Sequence, residues 1–182
     1  MDIEKRKIII IGASSDIAQP VIKALGNQII SNESILISRT KLPNIVSNQK
    51  QFVINNYKED LIEVINNLEL EGSNLSVVNF TGSIILKPLH IVKEEEFLQT
   101  LEINLMTNFR ALSKILKLNL NSLSYVAFSS VAASYGLANH EAISAAKSGV
   151  EGLLRSCASS YGHKDYRFNS ISPSLIDTKL TK

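Results

Sequence analysis

A chain of 182 residues with 45% hydrophobic content is long enough to bury one sizeable core and too short for two independent ones, so a single domain over residues 1–182 is expected. Charged residues make up 20% of it and the formal net charge is +2, which argues against a nucleic-acid surface or a membrane-coating face and leaves a small molecule as the expected partner. The single Cys157 has no intrachain disulfide partner, the stretch Met1 to Lys7 is charged and lacks the apolar centre of a secretion signal, and runs such as Ile8 to Ile11 fall far short of the ~18 to 20 residues a bilayer crossing needs, so a soluble cytoplasmic protein is expected.

Short apolar runs alternate with longer segments of helical period, which predicts an α/β fold with a doubly wound parallel sheet of about six strands and helices on both faces. The expected strands are Lys7 to Ile11, Ser34 to Ser38, Gln51 to Ile54, Ser76 to Asn79, Ser124 to Ser129 and Arg167 to Ile171. Their centres are nearly continuously apolar, as strands covered on both faces must be. Ile17 to Leu25 and Lys58 to Leu70 read as helices. A longer one is expected over Glu94 to Leu118, where Phe97, Leu101, Leu105, Phe109, Leu112 and Leu116 step by three or four into one apolar stripe interrupted by Asn104. The last, about Asn139 to Tyr161, sets Ile143, Lys147, Val150 and Leu154 along one line beside the small residues Ala142, Ala145, Ala146, Gly149 and Gly152. Small residues permit close backbone approach, to a ligand or to a partner helix.

The first strand runs straight into Gly12-Ala13-Ser14-Ser15-Asp16-Ile17-Ala18, which opens a helix. Strand, tight glycine turn and helix N-terminus together form an anion site, because unpaired amides and the positive end of the helix dipole meet there. This is the signature of a Rossmann-type sheet, and Gly12, Ser14, Ser15, Asp16 and Ile17 become candidate cofactor-binding residues. A turn of the form G-x-x-x-G-x-G would have glycine at 16 and 18, where this chain has Asp16 and Ala18. A carboxylate facing a diphosphate is repelled, so Asp16 is expected to turn back and cap the helix beginning at Ile17. At the end of the second strand, Ser38-Arg39-Thr40-Lys41 carries no carboxylate for a ribose hydroxyl, and the planar fork of Arg39 suits a phosphate. NADP(H) is therefore expected in preference to NAD(H).

Four further segments bring a resemblance into view: Asn79-Phe80-Thr81-Gly82, Asn104 within a helix, Ser129-Ser130-Val131-Ala132-Ala133, and Arg167 to Pro173 followed by Asp177-Thr178. In order and spacing the chain resembles the short-chain dehydrogenase/reductase family over essentially its whole length. The resemblance implies that Asn79, Thr81 and Gly82 contact the cofactor, that Asn55 lies near the adenine, and that Pro173, Ile176 and Thr178 flank the nicotinamide. It further implies that Ser130 polarises a substrate carbonyl, that Asn104 serves the proton relay, and that Lys147 holds the nicotinamide ribose. Ser174 replaces the glycine that normally follows the proline.

The departure is at the centre of the chemistry. The family's Tyr-x-x-x-Lys reads Ile143-Ser144-Ala145-Ala146-Lys147 here, and isoleucine has no proton to give. Loss of a positioned general acid forfeits roughly 10² to 10⁴ in rate, about 3 to 5 kcal/mol of barrier, so a slowed oxidoreductase acting on a carbonyl or alcohol is expected, with water or Lys147 supplying the proton. The alternative is an inert NADP(H)-binding pseudoenzyme that partners or regulates an active relative. Tyr135, in the loop before the helix, and His140, one turn ahead of Ile143, are the nearest substitutes in sequence.

The family normally continues past the position of Lys182 with a substrate-covering helix and an edge strand. A missing lid and an exposed sixth strand are thus expected, covered by a partner subunit or left as the mark of a truncated or marginally stable chain. Association into a homo-oligomer through the long helices around Gly149 and Gly152 is expected by the same resemblance. A Ser130/His140/Asp177 hydrolase lacks a nucleophile elbow, and three scattered histidines with one cysteine give no expected metal site.

Overall fold

The computed structural model describes residues 6–28 and 33–179. Six strands, β1 (Arg6–Ile11), β2 (Glu33–Ser38), β3 (Gln49–Val53), β4 (Asn74–Asn79), β5 (Ser122–Phe128) and β6 (Tyr166–Ile171), form one sheet in the order β3-β2-β1-β4-β5-β6. Every neighbouring pair is parallel. The connections carry α1 (Ala18–Gln28), α2 (Glu59–Asn66), α3 (Glu94–Leu101), α4 (Thr107–Ile115) and α5 (Glu141–Tyr161). This is the doubly wound Rossmann-type arrangement, and its strand order reverses between β1 and β4.

The four consecutive isoleucines of β1 follow from a sheet buried on two sides. Ile9 and Ile11 join Ile35, Ile37, Leu75, Val77 and Tyr125 under α2, α4 and α5, while Ile8 and Ile10 join Leu36, Ala18, Ile22 and Phe80 on the α1 side. A polar residue at any of these four positions would face one apolar layer or the other. The ladder continues past β1 and β4 through the N–H of Phe80, donated to the carbonyl of Ile11 at 2.8 Å. That bond closes the notch at the switch point, where a ligand site is expected.

Among the departures from the expected elements, three have a clear physical reason. Helix α2 ends at Asn66, short of Leu70, because a turn at Asn67 and Leu68 returns Leu70 to the core, where it is 1% exposed. The third strand starts at Gln49, since its pairing with β2 begins at Ser34 opposite Gln49. The single helix expected over Glu94 to Leu118 is split by one wide π turn, Glu102–Met106, between α3 and α4. The wide turn shifts the phase of the helix. The buried face runs through Thr100, Asn104, Thr107, Asn108, Ala111, Leu112 and Ile115, and Thr100 shows that it is already set in α3, ahead of the wide turn. Of the expected apolar stripe only Leu112 is fully buried, and Phe109 is 48% exposed.

Candidate functional site

At the C-terminal ends of β1 and β4 the turn Gly12 to Ile17 and the segment from Phe80 to Gly82 face each other across a cleft of about 320 Å³. Gly12 has φ 76°, and a Cβ there would lie 2.9 Å from the backbone nitrogen of Thr81, so only glycine lets the two segments meet. The amides of Gly12 and Ala13 donate to the carbonyl of Ile37, and that of Ser15 to Gly12. Those of Ser14 and Asp16 take part in none of these turn bonds, and both residues line the cleft. Amides left over at a helix N-terminus fit a diphosphate, which is the test a dinucleotide site must pass.

Asp16 does not cap α1 as expected. The hydroxyl of Ser15 accepts the Ile17 N–H at 3.3 Å and the Ser15 carbonyl takes those of Ala18 and Gln19, so Ser15 already does that work. The Asp16 carboxylate instead reaches the backbone N–H of Lys179 at 2.7 Å. Arg39 lines the same cleft, with its guanidinium 5.7 Å from the centre of the Tyr57 ring. Burial raises the Tyr57 phenol above its ordinary range, while the Arg39 charge works against that shift. Asn55 stands outside the residues lining the cleft; it is exposed, and its N–H is held by Asp60 at 2.7 Å. Tyr57, two residues on, takes the place on the cleft wall and carried no sequence signal, because it sits in a loop beyond β3.

A second pocket of about 160 Å³ adjoins the first through Ser15, Ile17, Thr81, Gly82 and Thr178, and is completed by Asn104, Ser130, Ile143, Lys147, Pro173, Ser174 and Ile176. Lys147 on α5 is 6% exposed and donates from Nζ to the carbonyl of Phe128 at 2.7 Å. Burial lowers its pKa from the ordinary 10.5 to about 8. A Cβ on Gly82 would lie 3.4 Å from Asn104 Oδ1 and 3.8 Å from Lys147 Nζ, so the bare glycine marks where these two polar ends converge. Ser130 Oγ accepts the N–H of Ala132 at 3.2 Å, which leaves its O–H for the pocket it lines. Ile143, 4% exposed, fills the position one helical turn before Lys147.

Beneath the pocket lies a saturated polar cluster that the sequence did not announce. Asn79 Nδ2 and the Tyr125 hydroxyl both donate to Asn108 Oδ1 at 2.9 Å, while Asn79 Oδ1 accepts the N–H and the hydroxyl of Thr81. Asn108 Nδ2 reaches the carbonyl of Asn104 at 2.8 Å in the π turn, and the Asn104 amide donates to Thr100 and Ser83. Burial raises the Tyr125 phenol far above its ordinary pKa. On the other flank Glu151 Oε1 accepts from Ser129 at 2.7 Å and from Ser172 at 2.8 Å, joining α5 to the ends of β5 and β6.

Tyr135 is 70% exposed, and neither it nor His140 lines the pocket around Lys147. His140 Nδ1, the atom a hydrolase triad would give to its carboxylate, lies 2.7 Å from the carbonyl oxygen of Ala138. Among the described residues there is no group of three or more His, Cys, Asp or Glu able to hold a metal ion, and no helix is long and apolar enough to cross a membrane.

Residues 58–182 match the family model described as enoyl-(acyl carrier protein) reductase. The chain is 33% identical over 119 residues to levodione reductase of Leifsonia aquatica, an alignment covering 64% of this chain and 40% of that protein. It spans less than half the length of the curated relatives it matches. Among solved structures, ElxO with NADP bound superposes with a TM-score of 0.80 at 17% identity, over 97% of this chain and 76% of that one. 4-Hydroxyisoleucine dehydrogenase complexed with NADH superposes at 0.81 with 24% identity, over 95% and 77%.

Proposed function

Because this chain belongs to the short-chain dehydrogenase/reductase family, we propose that it is an oxidoreductase that reduces a small carbonyl or oxidises the matching alcohol with a nicotinamide dinucleotide, NADP(H) in preference to NAD(H). The observation that carries this reading is the continuity of the two pockets, which joins the Gly12 turn to the buried Lys147 amine through Thr81, Gly82 and Thr178. Solved neighbours with NADP and with NADH bound support a nicotinamide group, and Arg39 supports the phosphorylated form. When bound, that group supplies or accepts the hydride.

In this reading the amides of Ser14 and Asp16 take the diphosphate, Arg39 takes the ribose phosphate against Tyr57, and Pro173, Ile176 and Thr178 close on the nicotinamide side. Ser130 donates its O–H to the carbonyl oxygen and orients it. Lys147 holds the proton at Nζ near neutral pH and delivers it in place of the family's tyrosine. The single cysteine supports a reducing cytoplasmic setting, and the half-exposed apolar residues of α3 and α4 support a homo-oligomer.

One observation favours a second reading. Ile143 is buried and carries no ionisable hydrogen, which suits a cofactor-binding pseudoenzyme that partners an active relative. Calorimetric titration with NADPH and NADH tests the cofactor, with binding expected for both and tighter for NADPH. Hydride transfer on a panel of carbonyls, followed for the wild type and Ile143→Tyr, then separates the two readings. A slow wild type and a variant faster by about 10² fit the weakened enzyme. Cofactor binding with no turnover by either protein favours the pseudoenzyme, and no binding of either dinucleotide removes both.

A further inference from the structure

Asp16 stands in the phosphate turn where a glycine is the usual occupant, and its charge needs an account. Its Oδ2 accepts the N–H of Lys179 at 2.7 Å, and its Oδ1 lies 3.7 Å from the Lys179 ammonium. Both residues line the cleft that also holds Gly12, Ser14 and Ser15. An uncompensated carboxylate at this point opposes a diphosphate over a few ångströms, in a site where the amides alone must do the binding. The ammonium beside it offsets part of that charge.

We propose that Lys179 is the counter-charge that lets a phosphate turn carrying Asp16 hold a dinucleotide diphosphate, so that the Asp16 and Lys179 pair sets cofactor affinity. The proposal rests on the cofactor reading above and adds to it a residue that belongs to the segment after β6. It also explains why the carboxylate is turned away from α1: the pair joins the two walls of the cleft, from positions 163 residues apart.

A double-mutant cycle with Asp16→Asn, Lys179→Gln and the double variant, read as calorimetric Kd values on the full chain at low salt, tests it. Asparagine keeps an acceptor for the Lys179 N–H while removing the charge, so the segment stays tethered. Lys179→Gln is expected to weaken binding about tenfold in the wild-type background and about twofold or less in the Asp16→Asn background, while Asp16→Asn alone leaves affinity equal or tighter. The effect should be the same for NADPH and NADH, because both carry the diphosphate. Equal losses from Lys179→Gln in both backgrounds, weakening by Asp16→Asn alone, or a loss confined to NADPH would each overturn the pair's role while leaving the cofactor reading intact. A wild type that binds neither dinucleotide would take both down.

Discussion

The Lys147 amine is 6% exposed, donates to the carbonyl of Phe128, and is shifted by burial with no carboxylate among the described residues to offset it, so its charge is costly in the folded state. Its pKa is lowered by burial from 10.5 to about 8. Between those values the unfolded chain binds more protons than the folded one, so this residue's contribution makes stability rise with pH over that window, and below pH 8 it is a constant penalty of roughly 3 kcal/mol at most. Lys147→Met is expected to raise stability at pH 7 by about 1 to 3 kcal/mol and to flatten the pH dependence, measured by urea denaturation between pH 7 and 10. In the proposed reduction the protonated amine is the donor, so kcat should fall about tenfold per pH unit above 8, and the oxidation should show the opposite trend. Activity that is level across that range would remove the lysine as proton donor. Gly12 was legible as the turn that ends the first strand, whereas Asn79, Ser130 and Lys147 stood out through the resemblance; of these, Gly12, Ser130 and Lys147 line the two adjoining pockets. Tyr57, Asn108 and Lys179 were not legible, since each reaches the site through a loop or a helix face whose aim depends on packing.

At the scale of elements, the π turn between α3 and α4 is the feature that sequence periodicity misjudged. Spacing by three and four selected Phe97, Leu101, Leu105 and Phe109, yet the face turned inward carries Thr100, Asn104, Thr107 and Asn108. A polar stripe is buried there because the sheet offers polar partners from β4 and β5, a tertiary fact that no single helix reveals. Asn108 is the hub, meeting Asn79, Tyr125 and the Asn104 carbonyl at once. Asn108→Ala leaves three buried polar groups short of a partner and is expected to cost about 2 to 4 kcal/mol by chemical denaturation, with weaker cofactor binding because Asn79 positions Thr81. Tyr125→Phe removes one donor while Asn79 still serves Asn108, so about 1 kcal/mol is expected. Equal costs for the two variants would show that Asn108 is no hub.

For the molecule as a whole, the doubly wound sheet could be read from the alternation of short apolar runs with helical segments, and all six strands lie where the runs were. Surface organisation was harder. Gly149 was expected to open α5 to a partner helix, but a Cβ there would lie 2.9 Å from Leu105 Cδ2, so the glycine serves packing within the chain. Gly152 has open space around it. Leu98 and Phe109, 54% and 48% exposed, stand on the neighbouring helices, and Leu98 borders an apolar groove with Leu101, Leu105 and Met106. Light scattering at micromolar concentration should give at least a dimer, and Leu98→Glu with Phe109→Glu should shift it toward monomer with the fold intact. A monomeric wild type would mean that this face stays in water.

The carboxylate of Glu151 grips hydroxyls from two neighbouring strand ends at once. Ser130 and Pro173 stand next to those hydroxyls in sequence, so the rim they form is braced like a spandrel between two arches. Past that rim the chain has less to hold it, for Leu175 is 85% exposed before Lys179 ties the far end of the stretch to Asp16.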